Sequence, residues 1–144
     1  MAASAVALLA GACNVNKQVQ DIAGVPLTNG TAHVEITGDA ESTFDAPLEQ
    51  GRVGSAATVF AYKSESNDLF SITGFGGVEG TAKTSNTLPL VVNGGDIFAT
   101  SAEGECTITL TRGDEDSENG TASCTNLDSN KGTIDVEATF SATR

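Results

Sequence analysis

Tryptophan is absent from the chain, tyrosine and histidine occur once each, and lysine and arginine together number 7 in 144 residues. Each shortage excludes something. With 19 acidic residues and a formal net charge of −12, the surface repels phosphate backbones and anionic lipid head groups, so no nucleic-acid partner is expected. A single histidine, His33, cannot supply a zinc site of the usual composition. No G-x-S-x-G elbow is present to present a nucleophile. The glycines of Gly74–Gly80 and Gly94-Gly95 lack the strand-to-helix setting of a phosphate loop and read as corners and turns. Nothing singles out a pair of carboxylates for acid–base work, and few aromatics remain for a sugar platform. No enzyme and no cofactor are expected. No run reaches the ~20 apolar residues that a membrane-crossing helix needs.

Short alternating runs, punctuated by turn residues, are abundant instead. From Thr31 onward, Val34 and Ile36 share one face while His33, Glu35 and Thr37 share the other. Phe44 is the expected inward anchor of the next run, and Pro47 predicts that this strand lies at an edge or ends there. Strands are expected over 57–62 and 69–73, with Phe70 and Ile72 inward, and over 87–93 and 96–101 as a hairpin about Gly94-Gly95. Asn29-Gly30-Thr31 and Asn119-Gly120-Thr121 match the N-glycosylation pattern and read as turns. In the final run, Ile134, Val136, Ala138, Phe140 and Ala142 share one face, a pattern of antiparallel sheets with one buried side. No segment keeps a helical period over several turns. The expected class is all-β, with about nine short antiparallel strands in a β-sandwich or, as the alternative, a flattened barrel.

The three cysteines divide into a pair and a single. Cys106, Ile108 and Leu110 alternate with threonines, and Gly120 to Thr125 returns after a polar loop. A symmetric hairpin places Cys106 opposite Cys124, Ile108 opposite Ala122 and Leu110 opposite Gly120. Opposed residues of this kind come within ~4.5–5.5 Å at Cβ, which suits a disulfide. Asp114, Asp116 and Glu118 in the connecting loop evoke the oxygen-rich start of a calcium loop. Counted from Asp114, however, the sixth position is Asn119 and the twelfth Thr125, where the loop requires glycine and glutamate. A solvated hairpin tip is the better reading, with no metal, and a calcium-assisted adhesion module stands third among the functions considered. His33 reads as an exposed strand histidine beside Glu35.

Cys13 is the odd cysteine. It follows Leu9-Ala10-Gly11-Ala12 at the end of a short apolar stretch, and this stretch resembles the bacterial lipoprotein signal with its lipobox. The resemblance implies cleavage after Ala12, a diacylglycerol thioether on Cys13, and a membrane partner engaged through two or three acyl chains. Leucine stands one place earlier than the usual pattern, and Met1–Ser4 carries no basic residue, so the signal is expected to be incomplete at its start. Ala10-Gly11-Ala12 also forms an A-x-A site for ordinary export of a soluble protein, and a short buried helix is the remaining alternative. The expected organisation is an export signal over 1–12, a tether over 13–30, with an irregular first strand around Ile22 to Leu27 as the alternative reading of its end, and the β-domain over 31–144. Behind the signal, the body is loosely similar to β-sandwich envelope lipoprotein antigens. The expected protein is an extracytoplasmic, lipid-anchored, non-catalytic module with a surface binding or structural role; the alternative is a carrier of a small apolar ligand.

Overall fold

The computed structural model describes residues 25–54, 57–114 and 116–144. Cys13, the export-signal stretch and the tether up to residue 24 lie outside the described residues. Eleven strands follow in order: β1 (Val25–Leu27), β2 (Asn29–Gly38), β3 (Ser42–Val53), β4 (Thr58–Lys63), β5 (Leu69–Phe75), β6 (Gly80–Lys83), β7 (Leu90–Gly94), β8 (Ile97–Thr100), β9 (Cys106–Asp114), β10 (Ser117–Ser129) and β11 (Gly132–Thr143). All pairings between them are antiparallel. The all-β class is as the alternation implies.

The architecture is a closed barrel, nearer to the flattened-barrel alternative than to the expected sandwich. Strands run in the order β11, β2, β3, β4, β5, β7, β8, β10, and β10 pairs again with β11, closing a ring of eight. Closure depends on β10, which has more than one neighbour along one edge. Its first part pairs with β9 from Ser117 to Cys124, its end meets β8 at Ser129↔Ala99, and its other edge follows β11 throughout. The change of neighbour coincides with an irregularity between Cys124 and Leu127, where Asn126 takes a left-handed φ of 57°. Asparagine tolerates that region better than most residues, and the Asn126 N–H is held by Asp135 Oδ1 at 2.9 Å. Bulges bend a strand in this way. Sequence alternation reports which face is wet, but it is the same whether a sheet packs on a second sheet or curls onto itself.

Three local expectations are corrected for related reasons. Pro47 lies inside β3, which continues to Val53. It takes the last β2 pairing, with Thr31, next to a shift in the β4 register between Leu48 and Gln50; a strand irregularity tolerates proline as well as an edge does. Asn29-Gly30 and Asn119-Gly120 are strand residues, not turns. The described fold begins at Val25, inside the segment read as tether and within the strand given as its alternative: Leu27↔Gly51 and Thr31↔Pro47 share one register, so β1 continues β2 against β3. β6 has no counterpart among the expected strands; it extends the β10–β9 wing through four pairs with β9.

The interior is packed with rings. Phe60, Tyr62, Phe70 and Phe140 form one cluster with centroid separations between 5.5 and 6.4 Å, a normal range for aromatic packing. The Tyr62 hydroxyl donates to the Ser141 carbonyl at 2.9 Å, so its one polar atom is satisfied within the barrel, and burial pushes its acidity below that of an ordinary phenol. The inward residues read from the alternation, Val34, Ile36, Phe44, Phe70, Ile72 and the five of β11, are all buried.

Candidate functional site

The polar side of the sheet is a continuous face carried by the barrel strands β3, β2, β11 and β10 and by the β9–β6 wing. Strand register sets its chemistry. One transverse row runs Asp45, His33, Thr139, Thr121, Thr109, Thr81 through direct cross-strand pairs. The neighbouring row, two residues along each strand, runs Thr43, Glu35, Glu137, Ser123, Thr107, Lys83. Within a row neighbours are ~4.7–4.9 Å apart, as strand spacing dictates. Thr81 and Thr109 join hydroxyls at 3.0 Å. Cross-strand pairs of this kind each add a few tenths of a kcal/mol to about 1 kcal/mol to the sheet.

A shallow depression of about 250 Å³ lies where the two rows cross β2, β11 and β10, lined by His33, Glu35, Thr121, Glu137, Ala138 and Thr139. Glu35 and Glu137 are direct cross-strand partners, an unfavourable juxtaposition of like charges. Each carboxylate has its own neighbour: Ser123 Oγ donates to Glu137, and His33 Nε2 lies 3.4 Å from Glu35. His33 Nδ1 is 2.6 Å from Asp45 Oδ1. The hydrogen bonds to Asp45 and then Glu35 raise the His33 pKa above its ordinary 6.5. Both ring nitrogens of His33 face carboxylates and the Ser123 hydroxyl is directed at Glu137, so the group is an acid-lined polar surface.

The sign of the His33 shift gives a first expected outcome. A histidine whose folded pKa lies above its unfolded value stabilises the fold fully below the unfolded pKa, and that contribution is lost as pH rises through the folded one. Proton NMR of the single imidazole should show a midpoint above 6.5, moved down in Asp45→Asn. An unchanged midpoint in that variant would remove Asp45 as the main cause.

The sequence-selected residues fare differently. Cys106 and Cys124 are register partners joined in a disulfide, and Ile108↔Ala122 and Leu110↔Gly120 pair as expected. Asp114 and Asp116 lie exposed at the β9–β10 tip, where the Asp116 N–H binds Asp114 Oδ1 at 2.8 Å and Arg144 lies 3.3 Å from Asp116. Glu118 is turned away from them into the fold. The three do not converge, and no group of three or more metal-ligating side chains occurs among the described residues. Calorimetric titration with calcium is expected to show no saturable heat.

Sequence reasoning missed one residue of the site and misplaced another outside it. Asp45 belongs to it only through the β2–β3 register. Glu118 was treated as loop, although it shares parity with the inward Gly120, Ala122 and Cys124, the signal that could have found it. An eight-stranded, disulfide-bonded antiparallel barrel with a threonine-rich, acid-flanked outer face is the class that fold and site define. Compared with known protein families, curated proteins and solved structures, the chain gives no match.

Proposed function

We propose that this protein is an extracytoplasmic, lipid-anchored, non-catalytic barrel module whose outer β2–β11–β10–β9 face serves binding or structural contact in the cell envelope. The observation that carries the reading is the buried Cys106–Cys124 disulfide, with both residues fully buried. Such bonds persist in oxidising compartments, which agrees with export and leaves Cys13 as the cysteine available for acylation. The aromatic cluster in the interior weighs against the carrier reading, because a carried ligand needs an internal cavity. A surface role asks only for the outer face, whose hydroxyls and carboxylates suit polar contacts.

Intact-mass spectrometry on protein recovered from its own host tests the reading. The expected result is a chain starting at Cys13, increased by acyl mass, with the remaining two cysteines oxidised. A chain that keeps residues 1–12, with an unmodified Cys13 and two free thiols, overturns it.

A further inference from the structure

The end of the barrel where β10 begins contains an anomaly. Glu118 is 3% exposed, and neither of its carboxylate oxygens has a hydrogen-bond partner. Buried polar groups in native proteins are nearly always satisfied, so such an exception asks for an explanation. The residue sits at a register irregularity between Ser117 and Glu118, opposite Arg112 on β9 and Ala142 on β11. Ala142 brings no charge. Among the described residues, the charged groups acting on Glu118 are Arg112 and Glu79, from the segment before β6, and they oppose each other.

We propose that Glu118 is a pH-sensitive latch: protonated, it lets the end of β9 and the start of β10 pack against the barrel end, and ionised, it drives that strand end to fray so that the carboxylate reaches water. The chemistry follows from the geometry. A neutral carboxyl is tolerated in an apolar site, whereas an ionised one without partners carries a large desolvation cost. Burial pushes the Glu118 pKa up to about 7, with Arg112 lowering and Glu79 raising it to smaller extents. Proton release therefore falls near neutrality. Opening is confined to the end of the hairpin. Beyond Glu118 the tip keeps one β11 pair, Ser117↔Thr143, with the Arg144 N–H donating to the Asp116 carbonyl at 2.9 Å, Ser117 Oγ accepting from the Asp114 N–H at 3.2 Å and the exposed Arg144–Asp116 ion pair; these few exposed bonds at a strand end open at lower cost than the ladder behind them. The disulfide lies at the other end of the β9–β10 pairing and limits how far the strands separate.

Amide exchange of residues 112–118, corrected for base catalysis, tests this against pH. Between a closed state with a pKa of about 7 and an open one with an ordinary carboxyl, the opening equilibrium rises about tenfold from pH 6 to 8.5. Glu118→Gln, neutral at every pH, is expected to abolish the rise, and Glu79→Gln is expected to keep it. A flat wild-type profile, or a rise that persists in Glu118→Gln, overturns the proposal. Carbon-13 titration of the wild-type Glu118 carboxyl needs no variant: a midpoint near neutrality supports the latch, and one in the ordinary range near 4.5 overturns it.

Discussion

Phe140→Ala is expected to destabilise the protein by about 3–5 kcal/mol, the usual cost of deleting a buried phenyl ring together with the cavity it leaves. Phe140 is 5% exposed and lies 5.5, 5.6 and 5.9 Å from the rings of Phe60, Phe70 and Tyr62, so its removal strips a face from all three. The barrel cannot refill the space cheaply, since its walls are tied on both sides by ladder hydrogen bonds. A domain of this size has ~5–15 kcal/mol of stability in all. With a urea dependence of ~1–3 kcal/mol per molar, the urea midpoint should fall by about 2 M. A loss under ~1 kcal/mol would mean that the ring cluster is not the centre of the core.

The same ring explains Gly120. Gly120 and Phe140 are direct cross-strand partners, and a Cβ placed on Gly120 would overlap the Phe140 ring atoms. The glycine is there for contact, with the ring covering bare backbone in the manner of aromatic rescue. Gly120→Ala should cost about 1–3 kcal/mol by overpacking. Combined with Phe140→Leu, the total loss should fall short of the sum of the single losses by at least ~0.5 kcal/mol, because the smaller side chain leaves room for the new methyl. Strict additivity in urea denaturation would contradict the clash.

Cys106→Ala with Cys124→Ala is expected to cost about 3 kcal/mol. The bond spans a sequence separation of 18, and in the chain-entropy model a loop of this length constrains the unfolded chain by roughly that amount. The melting temperature should fall by about 10 °C or more, since each kcal/mol is worth ~4–8 °C in a domain near this size. Serine replacements should cost more, because they leave hydroxyls in a site that is fully buried. Burial also implies that native protein resists mild reductants, because the disulfide lies at the end of the β9–β10 pairing away from Glu118.

Stability as a whole should decline from mildly acidic toward alkaline pH. Glu118 binds its proton more tightly in the fold than in the unfolded chain, so its share is full below about 4.5 and falls as pH rises toward about 7. His33 acts in the same direction at a higher starting pH. Denaturation of Glu118→Gln should retain only the smaller, histidine-linked part of the slope.

Much of this protein was legible from residues alone because the relevant physics is short-ranged. A strand shows its two faces with a period of two, so the burial of Val34, Ile36, Phe70, Ile72 and the inward residues of β11 follows from the order of side chains. A symmetric hairpin likewise brings Cys106 to Cys124 without reference to the rest of the chain. Tertiary structure alone decided whether the sheet closed, because closure rests on β10 changing partners at Asn126 and on pairings between strands far apart in sequence. It also decided that Gly120 is a packing position and Glu118 a buried acid. In both cases the deciding neighbour, a ring on β11 or the barrel end, arrives only when distant strands meet.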